Sequence, residues 1–193
     1  MIPDWKGETA VAIASGASLT QDDIDYCKGK ARVCVVNDNH RLAPWADLLY
    51  ACDLQWWDYH NPDFAGQKWT VDGIAAKKYN LNHITGHSAS GLSLDKSFIH
   101  FGRNSGFQLL NLLAHADVSR ILLLGYDFQE TNGEKHWFGS HPFPLHNMTR
   151  WDSSIKAING AADDFKTLGI EVVNCSRNSA ITAYRRSTIQ EEL

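Results

Sequence analysis

The chain has little of what would place it in several large functional classes. Its four cysteines, Cys27, Cys34, Cys52 and Cys175, show no C-x-x-C spacing, so reduced and mostly buried thiols are expected rather than a disulfide framework or a zinc ribbon. There are only five prolines in 193 residues, and no repeat, low-complexity tract or linker breaks the sequence, which leads to the expectation of one domain over 1–193. Positive charge is not in excess: the net charge of −4 argues against general binding of nucleic acid through its phosphates. Arg177, Arg185 and Arg186 form the one local basic patch. The longest aliphatic run, "ILLLG" from Ile121, is too short to cross a bilayer, and the amino end "MIPDWKGET" has no apolar core of a secretory signal. The expected location is the cytoplasm, with no membrane span.

Several motifs are missing as well. No G-x-G-x-x-G, Walker lysine, G-x-S-x-G or H-E-x-x-H occurs. What is present is an alternation of short apolar runs with helical patterns. "VAIAS" (11–15), "RVCVV" (32–36), "RILLLG" (120–125) and "IEVVNCS" (170–176) read as buried strands. "DDIDYCKG", "APWADLLYACD" (43–53), "NSGFQLLNLLAHA" (104–116) and 152–169 read as helices. "LQWW" and "KWTV" are candidate short strands, and 73–101 reads as an irregular excursion with a strand at "HIT". The predicted fold is α/β: a single Rossmann-like domain, a mostly parallel sheet with helices on both faces. Ligands of such folds sit beyond the carboxyl ends of the strands, which directs attention to "SGAS", "NDNH", "GYDFQ" and "NCSRNS".

Taken singly, these loops have ordinary readings. Ser15-Gly16-Ala17-Ser18 suits an anion at a helix start, or simply a capping turn. Asn37, Asp38, Asn39 and His40 offer more hydrogen-bonding side chains than a turn requires. Asp23-Ile24-Asp25 matches a metal-holding D-x-D pattern, but acids also favour a helix N-terminus. The loop from His136 to His146 carries three histidines; a loop histidine acting as general base accounts for them more economically than zinc. Seven tryptophans are many for this length, and "LQWWDYHNP" and "EKHWFGSHP" set several beside polar residues, as a cleft wall would.

In order, the loops resemble those of the bacterial sialyltransferases that use CMP-sialic acid, and of short phage and prophage proteins of that superfamily. "ASGASL" is similar to the opening Gly-x-Gly-Pro-Ser-Leu turn, keeping Gly16, Ser18 and Leu19. Asn37 matches a nucleotide-contacting Asn after the second strand, while Asp58 stands near a further contact Asn and so departs from the pattern. Ser105-Gly106 matches a Ser/Thr-Gly helix start, Gly125-Tyr126-Asp127-Phe128 a strand end, and His146 with Thr149 and Asp152 a histidine before a Thr-x-x-Asp helix. Arg177-Asn178-Ser179 stands at the Pro-Asn-Ser element.

The resemblance implies transfer of a sugar from a nucleotide donor, with CMP the expected nucleotide, to an unknown acceptor. It implies a GT-A-variant fold, no required metal or other cofactor, and His146 as general base. Ser15, Gly16, Ser18, Asn37, Asp58, Asn104, Ser105, Gly106, Asp127 and Gln129 would line the nucleotide. Two tyrosines that support the leaving phosphate in the family are replaced here by Gln129 and His136, and His136 is the candidate for the second catalytic role. Two alternatives remain open. One is a 6-hydroxymethylpterin diphosphokinase-like enzyme using ATP and Mg²⁺ at a carboxylate pair, Asp38 with Asp127 or Asp58. The other is a non-catalytic nucleotide-binding or assembly protein of phage type.

Overall fold

The computed structural model describes residues 1–145 and 150–193. Its elements run β1 (Thr9–Ile13), α1 (Gln21–Tyr26), β2 (Arg32–Val36), a 3₁₀ turn (Asn37–Arg41), β3 (Leu48–Tyr50), α2 (Leu54–His60), β4 (Gln67–Thr70), α3 (Gly73–Tyr79), β5 (Asn82–His83), β6 (Thr85–His87), β7 (Phe98–His100), α4 (Ser105–His115), β8 (Arg120–Leu124), α5 (Trp151–Gly160), α6 (Ala162–Thr167), β9 (Glu171–Asn174), β10 (Arg185–Arg186) and α7 (Ile189–Glu192). Eight of these strands form one sheet in the order β10-β9-β8-β1-β2-β3-β4-β5, every neighbouring pair parallel. β6 and β7 pair separately.

The strands are apolar on both faces because both faces are covered. Val11, Ile13, Val33, Val35, Leu122 and Leu124 pack with Ile24 of α1, Trp56 and Trp57 of α2, Ala75 of α3 and Ile189 of α7. The alternate residues, among them Ala10, Ala12, Cys34, Val36, Ile121 and Leu123, pack with Phe107, Leu109 and Leu113 of α4, Ile158 of α5 and Phe165 of α6. Every residue of α4 is buried. An amphipathic stripe would not suffice there, because α4 lies between the sheet on one side and β7 and α5 on the other. The alanines of β1 leave room for it to approach closely.

The chain builds outward from β1 to β5, then returns through α4 to place β8 on the other edge of β1. The sheet is therefore the expected Rossmann-like α/β arrangement, with its topological switch point between β1 and β8. There Gly16 donates its N–H to the Gly125 carbonyl at 2.8 Å. Gly125 has φ +67°, and a Cβ on Gly16 would overlap the Asp127 carboxylate and the Gly125 carbonyl.

Three expectations are corrected between 43 and 101. "APWADLLYACD" is not a helix: its leading residues form turns and Leu48–Tyr50 is the buried strand β3. "LQWW" is the start of helix α2, not a strand. The supposedly irregular 73–101 holds α3, β5, β6 and β7, with Asp72 capping α3 through the Ile74 and Ala75 N–H groups. In each case the elements are of seven residues or fewer, so burial by neighbours outweighs the local pattern.

The crowding at Gly16 has a measurable consequence. Gly16→Ala is expected to lose about 1–3 kcal/mol through overpacking, whereas Gly160→Ala, with open space around its Cβ at the end of α5, gains a few tenths up to ~1 kcal/mol. Urea unfolding midpoints of the two variants against wild type check both signs.

Candidate functional site

The carboxyl ends of β1, β2, β3 and β8 meet the N-terminus of α4 at one edge of the sheet. The β1 turn is held from below by Asp127, which is 1% exposed. Its carboxylate accepts from the Ser18 N–H at 2.7 Å and the Ser18 hydroxyl at 2.8 Å, and from Thr131 at 3.3 Å. Burial pushes the Asp127 carboxyl up, and the Ser18 bonds pull against that. Ser18 in turn accepts from the Asn178 N–H, which ties the segment after β9 to the same turn.

Asn39 closes the opposite side. Its amide Nδ2 donates to the Ile13 and Val36 carbonyls and the Ser15 hydroxyl at 3.1, 2.8 and 3.1 Å. Its Oδ1 accepts from Trp137 Nε1 at 2.7 Å, and the Trp137 backbone N–H donates to the Ser15 carbonyl at 3.2 Å. One side chain thus joins the ends of β1 and β2 to the long loop after β8. Asn37, just before it, adopts a left-handed conformation at φ +49°, and its carbonyl bonds His40 Nδ1 at 3.0 Å.

On the α4 side, Asn104 caps the helix by accepting from the Phe107 N–H at 2.8 Å. Ser105 is buried and contacts Cys52 Sγ at 3.2 Å, at the end of β3. Tyr126 donates its hydroxyl to the Gly106 carbonyl at 3.2 Å and lies against the Gly106 Cα. Ser15, Gly16, Ser18, Asn37, Asn104, Ser105, Gly106 and Asp127 are therefore brought to one edge, with Gln129 half-buried at the start of the loop beside them. Asp58 is not connected to this edge: its carboxylate is exposed and engaged by Lys78 at 2.8 Å and Tyr79 at 2.6 Å on α3. His146 and Thr149 lie outside the described residues.

His136 stands over the β1 turn, stacked on Phe138 with centroids 5.1 Å apart and beside His141 at 4.9 Å. Burial, then the neighbouring His141, pushes its pKa down to about 4, against a backbone hydrogen bond at Ser15. At neutral pH it is an uncharged ring that can exchange hydrogen bonds with a phosphate. Burial also lowers His141 and His60, with Asp38 opposing in both.

The metal-holding possibilities find their groups otherwise occupied. Asp23 pairs with Arg177 at 2.7 Å and Gln190 at 3.0 Å, and Asp25 accepts from Gln21. Among the described residues no group of three His, Cys, Asp or Glu side chains is placed to hold a metal ion. The basic patch is likewise committed, Arg185 to Glu171 and Glu192 and Arg186 to the carbonyls of Ser176 and Arg177. Cys27, Cys34, Cys52 and Cys175 are free, and burial raises each thiol. No helix among the described residues is long and apolar enough to cross a membrane.

Sequence reading alone did not single out Trp56, His60 or Trp137 as individual site residues. The available signal was the Trp56/His60 spacing of four, which sets both on one helix face once α2 is recognised as a helix. No known family model matches the chain, and no curated protein matches it.

Two expectations follow from this geometry. Asn39→Ala leaves the Trp137 indole and two strand-end carbonyls without their partner, which costs about 1–3 kcal/mol and is read as a lower melting temperature with a red-shifted tryptophan emission. Protonation gives the second. In the fold His136, His141 and His60 resist charging, while the unfolded chain takes up protons near pH 6.5. Stability is thus intact above 6.5 and falls as pH drops from 6.5 toward 4, by about 1.4 kcal/mol per pH unit for each proton excluded. Urea unfolding at a series of pH values shows the slope, and His136→Gln flattens it.

Proposed function

We propose that the chain is a glycosyltransferase-like enzyme that moves a sugar from a nucleotide donor, with CMP as the nucleotide, to an acceptor hydroxyl. The observation that carries this reading is the convergence of the Ser15–Ser18 turn, the Asn37 turn and the N-terminus of the eleven-residue α4 on the β1–β8 switch point. A parallel sheet binds its ligand at that point, and a helix N-terminus there favours a phosphate. The order of the loops along the chain supplies the likeness to CMP-sialic-acid-dependent transferases.

In this reading the anomeric carbon leaves the CMP phosphate through an oxocarbenium-like state while the acceptor oxygen bonds to it. The phosphate carries away the electron pair and develops charge as it leaves. Fixed donors at the departing oxygen lower that barrier because they need no reorganisation. The Ser105 and Gly106 N–H groups at the start of α4, ahead of the Phe107 N–H that Asn104 caps, are such donors. The neutral His136 adds a hydrogen bond, and a phosphate beside it raises its proton affinity toward that of an acid catalyst. A histidine takes the acceptor proton; the family pattern gives that role to His146.

The test is a thermal-shift panel of CMP, CDP, UDP, GDP and ATP, each with and without Mg²⁺. CMP at a hundred times its dissociation constant is expected to add about 2.7 kcal/mol without metal, and Asn37→Asp, which sets a negative charge beside the phosphate, weakens it roughly tenfold or more. Stabilisation by ATP with Mg²⁺ alone overturns the reading in favour of a diphosphokinase. No response to any nucleotide favours a binding or assembly protein.

A further inference from the structure

The turn after β2 serves two sides. Asn39 points toward Ser15 and the nucleotide crevice, while its neighbour Asp38 points toward α2. Asp38 is 2% exposed, and its Oδ1 accepts from Trp56 Nε1 at 2.8 Å. His60 Nε2 lies 3.3 Å from the same oxygen. His60 is the last residue of α2, one helical turn after Trp56, and its ring lies on the Trp56 indole at 4.7 Å and 28°. Tyr59 at 4.8 Å and His40 at 6.0 Å meet it edge-on. The ring is thus held on several sides by aromatic groups, with one buried carboxylate 3.3 Å from its Nε2.

The arrangement is costly unless something uses it. His60 Nε2 is buried without an aligned hydrogen bond, and so is His141 Nδ1 on the loop that faces it. An orphaned buried polar atom is destabilising. A well-packed apolar side chain would avoid that cost, whereas a carboxylate that fixes an imidazole is the standard way to prepare a proton acceptor.

We propose that His60, packed on Trp56 beside the buried Asp38, is the general base that takes the proton from the acceptor hydroxyl. This rests on the sugar-transfer reading and places the base at a residue other than His146. In this step the neutral ring carries its proton on Nε2, 3.3 Å from Asp38 Oδ1, and its lone pair on Nδ1. As the acceptor oxygen bonds to the anomeric carbon and the bond to the CMP phosphate breaks, the acceptor proton passes to Nδ1. CMP departs with the electron pair, and the imidazolium, facing Asp38, later returns its proton to water. The balance needs no further reactant.

The surroundings fit that role. The side chain of His60 keeps 13% of its surface exposed. Charged and titratable groups reach it from each packed element: Asp38, His40 and Arg41 from the turn, and His141 from the loop. On α3, Lys78 and Tyr79 are engaged by Asp58. Burial keeps the ring unprotonated at neutral pH while Asp38 pulls the other way, as a base requires. The site adjoins the crevice through the turn itself and through His136, which feels both Asp38 and Ser15.

The experiment compares wild type, His60→Gln, Asp38→Asn and His146→Gln in two measurements: the CMP-induced shift in melting temperature, and release of CMP from CMP-sialic acid between pH 5 and 9. His60→Gln is expected to keep the CMP shift and lose roughly 10²-fold or more in kcat. Asp38→Asn, nearly isosteric, loses roughly 10-fold or more and moves the acidic limb of the pH profile to lower pH. Imidazole ¹⁵N NMR should report His60 in the Nε2–H form. CMP binding with turnover in His60→Gln equal to wild type overturns the base assignment alone, as does abolition in His146→Gln with His60→Gln spared. Wild type that binds no CMP overturns the donor reading and this step with it. Wild type that binds CMP but releases none from the donor overturns the step while leaving the nucleotide site standing.

Discussion

The buried amide of Asn39 is the interaction on which the candidate site depends. Two strands that end side by side leave carbonyls beyond the sheet ladder, and such buried groups must be paired. Asn39 pairs the Ile13 and Val36 carbonyls and uses its own oxygen to hold the Trp137 indole. Only a neutral amide can both donate to carbonyls and accept from an indole at zero exposure. An aspartate could not donate, and a leucine would strand every partner. Together with the Trp137 N–H on the Ser15 carbonyl and Thr131 on Asp127, this side chain fixes the loop after β8 over the β1 turn, which brings His136 to Ser15.

Asp127 does the complementary work on the other side of the turn. It is an acid kept in an apolar setting, and it remains tolerable because Ser18 offers it two hydrogen bonds. The same economy governs Asp38, shared by Trp56 and His60. Buried polar groups thus line the carboxyl ends of the central strands, and a second set, Asn111 and His115 of α4, ties that helix to Ser93, Phe98 and His100. Polar burial is expensive, and these groups are tolerated because each is paired.

The central strands β1, β2, β8 and β9 were legible in the sequence because each is a short apolar run bounded by polar residues. α4 was legible from its Asn104 cap and dense apolar pattern. The segment 43–101 was not, since Pro44 suggested a helix start and the Trp56–Trp57 pair suggested a strand. The structure uses Pro44 in a turn and buries both indoles beneath α2. That error also hid the Asp38–His60 pair, because the spacing from Trp56 to His60 has meaning only on a helix. The loops that line the crevice were readable as polar residues after apolar runs. Their mutual pairing was not, because Ser18 with Asp127 and Asn39 with Trp137 join positions 109 and 98 residues apart.

The register of β1 against β8 has a consequence for how the chain is made. Thr9 pairs with Arg120 and Ile13 with Leu124, so one edge of the central strand waits for more than a hundred further residues to be synthesised. On the ribosome, β1 to β5 can assemble as a half-sheet whose open edge is the apolar run Ala10–Ile13. An unpaired apolar edge is a template for association between nascent chains. Until β8 arrives, that edge stays open to such contacts.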